Sequence, residues 1–118
     1  MASYNELPEY KAPERTYKTA GMKTGIYNSV AMQFVEKGTT DEILFTGLAS
    51  EVGEVMSERM REVRKGEERT KEIMDELSDV LWFVTVIAQQ RGYSLKDLML
   101  HNVNKLEDRM LNGKKNRK

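Results

Sequence analysis

Asp75-Glu76-Leu77-Ser78-Asp79-Val80-Leu81-Trp82-Phe83-Val84-Thr85-Val86-Ile87-Ala88 is the stretch on which the fold turns. Wound at the helical period, the segment from about Lys71 to Arg91 carries apolar residues on most of its circumference, which marks a central helix with neighbours on several sides. Within it Glu76 and Asp79 stand three residues apart and so share one face, a turn apart. Ile73, Leu77, Val80 and Phe83 are their neighbours on the same helix. A carboxylate in such surroundings must be paired, protonated or bound to a cation, because desolvating an isolated charge is very costly. Gly92 closes the helix.

Working backwards, Glu67 to Thr70 read as a polar connection, and Gly66 ends a preceding helix that runs to about Lys65. That helix opens at Thr40-Asp41-Glu42, a cap followed by acidic first-turn residues that favour the helix dipole. Its core stripe draws on Ile43, Leu44, Leu48, Val52, Val55, Met56 and Val63. Beside the stripe lie Glu51, Glu54 and Glu58, with Gly47 one turn earlier on the acidic face. Further back, Ile26, Val30 and Phe34 recur every fourth residue and predict a short amphipathic helix over 23–37, stopped at Gly38. Working forwards, Ser94-x-x-Asp97 resembles a capping box, with Asp in place of the usual Glu or Gln. It opens a fourth helix whose buried side is Leu98, Met99, Val103, Leu106 and Met110, and which Gly113 ends. No strand-type alternation lasts, so the expected architecture is all-α, a small four-helix bundle. Met56, Met60, Met74, Met99 and Met110 fall at helical core positions, where they fill an irregular core or a subunit interface.

The ends divide from this domain. Residues 1–22 read as an N-terminal arm interrupted by Pro8 and Pro13, with Tyr4, Tyr10 and Tyr17 among charges. It is either a partly ordered terminus or an arm that packs its tyrosines on a neighbouring subunit. The domain is placed at 23–112 and a basic tail at 113–118, solvated or in contact with nucleic acid.

Composition narrows the chemistry. At 118 residues the chain makes one domain, and a core of that size is a natural candidate for completion in an oligomer. Lys plus Arg equal Asp plus Glu at 19 each, so no overall field points to nucleic acid or acidic lipid. Cysteine is absent and His101 is the sole histidine, which excludes thiol-ligated zinc, disulfides and His-rich metal sites. A Ser-His-Asp arrangement would depend on His101 alone. No Gly-x-x-x-x-Gly-Lys-Ser/Thr loop and no Gly-x-Gly-x-x-Gly occur. The N-terminus lacks the regions of a signal peptide, and the apolar run ending at Ala88 is about half of what a membrane span needs. The chain reads as cytoplasmic.

What remains is acid. Glu51-x-x-Glu54 repeats the spacing of Glu76-x-x-Asp79, and two such pairs facing each other make an all-oxygen site for a hard divalent cation, Mg²⁺ above all. Alone, the first pair is an ordinary solvated helix face. The second could instead form a salt bridge to an arginine. Glu51-x-x-Glu54, 21 residues, then Glu76-x-x-Asp79 resembles the signature of the MazG-like nucleotide pyrophosphohydrolases of the all-α NTP pyrophosphatase superfamily. Gly47-Leu48-Ala49-Ser50-Glu51-Val52-Gly53-Glu54, Asp75 to Trp82, and Asn102-x-x-Lys105-Leu106-x-x-Arg109 share the family's character, and the resemblance spans about Tyr27 to Arg109.

The resemblance implies an all-α NTP pyrophosphatase fold completed by oligomerisation as a homodimer or homotetramer. It implies a Mg²⁺ site of Glu51, Glu54, Glu76 and Asp79, with Mn²⁺ as a substitute. It implies hydrolysis of a nucleoside triphosphate to monophosphate and pyrophosphate by attack at the α-phosphorus, with Glu51 or Glu54 taking the proton. Asn102, Lys105 and Arg109 then make a donor row for phosphate oxygens; without the family pattern, an exposed face paired with Glu107 and Asp108 is the better reading. Trp82 and Phe83 are candidates to stack on a base, with Phe83 one turn beyond Asp79, or are simply core. The competing functions are a related dUTP or phosphoribosyl-ATP pyrophosphatase and a non-catalytic helical interaction module.

Overall fold

Four helices follow one another in the computed structural model, which describes residues 21–116, and the side chains of these as far as 113. They are α1 (Thr24–Met32), α2 (Asp41–Lys65), α3 (Thr70–Gln90) and α4 (Leu95–Asn116), and the described residues contain no strand. The arm expected over 1–22 lies outside the described residues except for its last two.

Local chemistry sets most boundaries where the sequence places them. Thr40 caps α2, its Oγ1 accepting from the Ile43 N–H at 3.2 Å. Gly66 ends α2 in the left-handed region at φ 66°, a conformation that side chains with a Cβ rarely adopt. Ser94 and Asp97 form the reciprocal box that opens α4. The Asp97 N–H donates to Ser94 Oγ at 3.1 Å, and the Ser94 N–H donates to Asp97 Oδ2 at 3.0 Å. Hydrogen bonds from the backbone N–H and the side chain of Ser94 hold the Asp97 carboxyl below its ordinary value.

Two ends differ from the sequence reading. α1 stops at Met32 rather than near Lys37, and successive i→i+3 bonds from the N–H groups of Gln33, Phe34 and Val35 tighten the chain beyond it. Phe34 stays buried in that turn. α4 runs through Gly113 to Asn116 instead of ending there.

Among the described residues α3 packs against each of the other three helices, whereas α2 packs against α3 alone. The predicted central role of the third helix is therefore realised. The buried set is small: Val30, Ala31, Phe34, Leu44, Thr85, Val86 and Leu95, with Glu58 as the one buried charge among the described residues. Much of the expected core stripe of α2 is uncovered, since Ile43, Val52, Met56 and Val63 are each about half exposed while Leu44 is buried. The expected buried side of α4 is likewise exposed at Met99, Val103, Leu106 and Met110; only Leu98 is half-buried. The apolar periodicity is real, but among the described residues α4 has only α1 and α3 against it and α2 only α3. No helix of the described residues is long and apolar enough to cross a membrane.

Candidate metal centre

α2 and α3 form a helical hairpin, and its facing sides carry the acids. Glu51 on α2 and Glu76 and Asp79 on α3 are all half-buried. One carboxylate oxygen from each lies within 4.8 Å of the others. Three carboxylates this close disfavour one another's charge. Glu51 shows it most, its carboxyl pushed up from 4.5 to about 7. Burial is the largest cause, followed by a side-chain hydrogen bond with Glu76 and the charges of Asp79, Glu76 and Glu54. Asp79 is also raised, by burial and then by the charge of Asp75. Glu54, the fourth acid of the pattern, is exposed and stands outside the group of three, though close enough for its charge to act on Glu51.

The close approach of the two helices depends on Gly47. A Cβ at that position would run into the ring of Phe83. Gly47 precedes Glu51 by one turn and Phe83 follows Asp79 by one turn, so the ring lies about one turn from the acids, towards the start of α2. Trp82 meets Phe83 edge to face, with centroids 5.0 Å apart and planes at 87°. Its indole N–H donates to the carbonyl of Ala31 at 3.0 Å, tying the end of α1 to α3. Trp82 thus holds the fold together, and Phe83 is the aromatic that borders the acids.

Asn102, Lys105 and Arg109 are exposed along α4, and neither Glu107 nor Asp108 pairs with them. Because α4 does not pack on α2, the fold does not bring this row to Glu51 within one chain. His101, given no role by the sequence, lines a separate cavity of about 680 Å³ between the end of α3 and α4.

Two features escape the sequence reading. Tyr27 of α1 is hydrogen-bonded to Thr85, and burial, then the nearby charge of Asp79, push its phenol up. The signal was Thr85 itself, a hydroxyl in the middle of an apolar run. Part of its capacity goes to the Leu81 carbonyl at 2.8 Å, and the rest called for a partner from another helix. The second is the pairing of Glu58 with Arg69, which no helical spacing announces because it joins α2 to the residue that precedes α3.

Residues 39–113 match the family model of the MazG nucleotide pyrophosphohydrolase domain, well over half of the chain. The chain belongs to the MazG nucleotide pyrophosphohydrolase family. The match takes in α2, α3 and most of α4, and so every acid of the cluster, and it begins after α1. No significant match was found among curated proteins or among solved structures.

Proposed function

We propose that this protein is a Mg²⁺-dependent nucleoside triphosphate pyrophosphohydrolase that converts a (d)NTP and water to (d)NMP and pyrophosphate, in housecleaning or control of the nucleotide pool. The observation that carries this reading is the convergence of Glu51, Glu76 and Asp79 within 4.8 Å in a chain of the MazG family. An all-oxygen donor set suits a hard cation, and Mn²⁺ is the expected substitute. The raised Glu51 and Asp79 carboxyls mark a site with more negative charge than its surroundings solvate well, a demand a divalent cation meets.

Glu51, Glu76 and Asp79 are the residues that would hold the ion. When bound, it supplies charge neutralisation for the triphosphate and acidification of water. Water adds to the α-phosphorus, the bridging oxygen leaves with pyrophosphate, and the proton of the water goes to Glu51 or Glu54. Glu54, outside the group of three, keeps its lone pairs free for that task. Phe83 offers a ring face for the base. Asn102, Lys105 and Arg109 bind phosphate oxygens on a site completed by a second copy of the chain, since α4 does not reach α2 of its own chain.

The test is pyrophosphate release with Mg²⁺ across canonical and modified nucleotides, dUTP and phosphoribosyl-ATP included, with products assigned by phosphorus NMR. Monophosphate and pyrophosphate are expected as the primary products. Diphosphate plus phosphate would mean attack at the γ-phosphorus and would overturn the reading.

A further inference from the structure

Seven residues after Glu51 on α2 stands Glu58, and seven residues before Glu76 stands Arg69, the residue preceding α3. Seven residues are nearly two full turns, so Glu58 is about 10 Å along α2 from Glu51 and only about 20° away in rotation, and Arg69, at the start of α3, meets it there. The hairpin therefore carries two rungs on one facing stripe, one attractive and one repulsive. In the attractive rung Arg69 Nε donates to Glu58 Oε1 at 2.6 Å. In the repulsive rung Glu51 faces Glu76 and Asp79.

The attractive rung is built with care. Glu58 is buried, at 7% exposure, and its second oxygen accepts from Arg61 at 2.7 Å. The backbone N–H of Arg69 donates to Glu62 Oε2 at 2.7 Å, and Arg59 holds the other oxygen of Glu62 at 2.8 Å. Arg69 is thus fixed at both its backbone and its guanidinium. A buried carboxylate survives only when so partnered. At the far end of the hairpin Arg91 meets Asp41 at 3.1 Å, but both side chains are more than half exposed, and such pairs are weak. Among the described residues α2 packs on α3 alone, so the register of the hairpin is set along this one interface, and the Glu58–Arg69 pair is its buried ionic contact.

We propose that the Glu58–Arg69 pair is a positioning device for the metal centre, fixing the register of α2 against α3 so that Glu51 meets Glu76 and Asp79. The proposal rests on the cluster being a cation site. Neither residue touches the cation or the substrate.

Mn²⁺ binding to the full-length protein, followed by electron paramagnetic resonance alongside far-UV circular dichroism, tests it. Arg69→Gln is the decisive variant because two accounts predict opposite signs. Loss of a nearby positive charge by itself tightens a cation, whereas loss of register weakens it. We expect Arg69→Gln and Glu58→Gln each to weaken Mn²⁺ about tenfold or more, the scale of outer-shell changes at metal sites, with helicity retained. The double variant should lose little more than either single one, because both remove one interaction. Arg69→Lys should restore most of the loss. Thr40→Ala, which removes the cap of α2, supplies a destabilised protein with the rung intact and should leave Mn²⁺ affinity unchanged. If the Gln variants do not fold, Glu58→Asp shortens the rung by one methylene, and a several-fold weakening is expected there. Unchanged or tighter Mn²⁺ binding in Arg69→Gln, or in Glu58→Asp where that is the folded variant, overturns the proposal, as does an equal loss in Thr40→Ala. A wild-type protein that binds no Mn²⁺ would instead remove the cation site itself, and that outcome is read in the wild-type arm alone.

Discussion

If the acid cluster holds a cation as proposed, Glu51 is the residue at which proton and cation compete. Its carboxyl rises from 4.5 to about 7 in the fold, through burial first and then through Glu76 and the neighbouring charges. Between those values the folded chain holds a proton that the unfolded chain has lost. The stability Glu51 contributes is therefore fully present below about 4.5 and fades as pH rises through about 7. A cation needs the carboxylate, so its binding must expel that proton. We expect Mg²⁺ affinity to climb from pH 5 to about 7 and then level, with on the order of one proton released near pH 6. Calorimetry in two buffers of different ionisation enthalpy counts the proton, and pH-independent binding without release would contradict the scheme. Glu76 and Asp79 lead to a second expectation. Glu76→Gln or Asp79→Asn removes a proposed ligand and should cost at least about a hundredfold in Mg²⁺-dependent hydrolysis, beyond the range of outer-shell changes. The same change relieves repulsion, so the metal-free protein should melt no lower than wild type, and a Gln at 76 can donate to Glu51. Full activity in either variant would sink the site.

At the scale of elements, the α2–α3 hairpin owes its close approach to Gly47. Ala at 47 gains about 1 kcal/mol of helix propensity but forces the Phe83 ring aside or the helices apart, and overpacking of that kind costs about 1–3 kcal/mol. Phe83 is itself braced by Trp82, so it does not yield freely. We expect Gly47→Ala to change the melting temperature little and to reduce Mg²⁺-dependent turnover by an order of magnitude or more, because the ring borders the acids. Unchanged kinetics would mean that the cleft tolerates the methyl. The hairpin was legible in the sequence because its determinants are local: the Thr40 cap, the Gly66 stop and the acidic spacing on two periodic helices. The end of α1 was not. Ile26, Val30 and Phe34 report which side chains are buried, and a tight turn buries Phe34 as well as a helix would. Nor was the Glu58–Arg69 rung, since a contact across a hairpin depends on how the two helices meet. The two α3 acids and Glu51 were legible as a cluster; the exposed standing of Glu54 was not, because a three-residue spacing leaves two neighbours some 60° apart on the helix.

For the whole molecule, one observation outweighs the rest: among the described residues there is more apolar helix face than apolar core. Met56, Met60 and Val63 on α2, Met74, Leu77 and Leu81 on α3, and Val103, Leu106 and Met110 on α4 are all between 43% and 72% exposed. Soluble monomers rarely leave apolar surface on this scale uncovered. Periodicity in the sequence could not tell a stripe covered by the same chain from one covered by another copy: the α2 stripe and the buried side of α4 were read as core, and the methionines among them as core or subunit interface. A second copy is the partner that explains most. It would bury the bare faces of the hairpin and could bring the Asn102, Lys105 and Arg109 row to a neighbour's acids, which the chain does not do for itself. We therefore expect a homodimer or homotetramer by light scattering at micromolar concentration. Met56→Glu or Leu77→Glu should dissociate it while retaining most of the helicity, because a charge on an exposed helix position costs the single chain little but is desolvated at an interface. Turnover should fall in step with dissociation, by at least about tenfold, if the phosphate-binding row is supplied in trans. A wild-type monomer with full activity would remove the interface and return Lys105 and Arg109 to the role of an ordinary charged face.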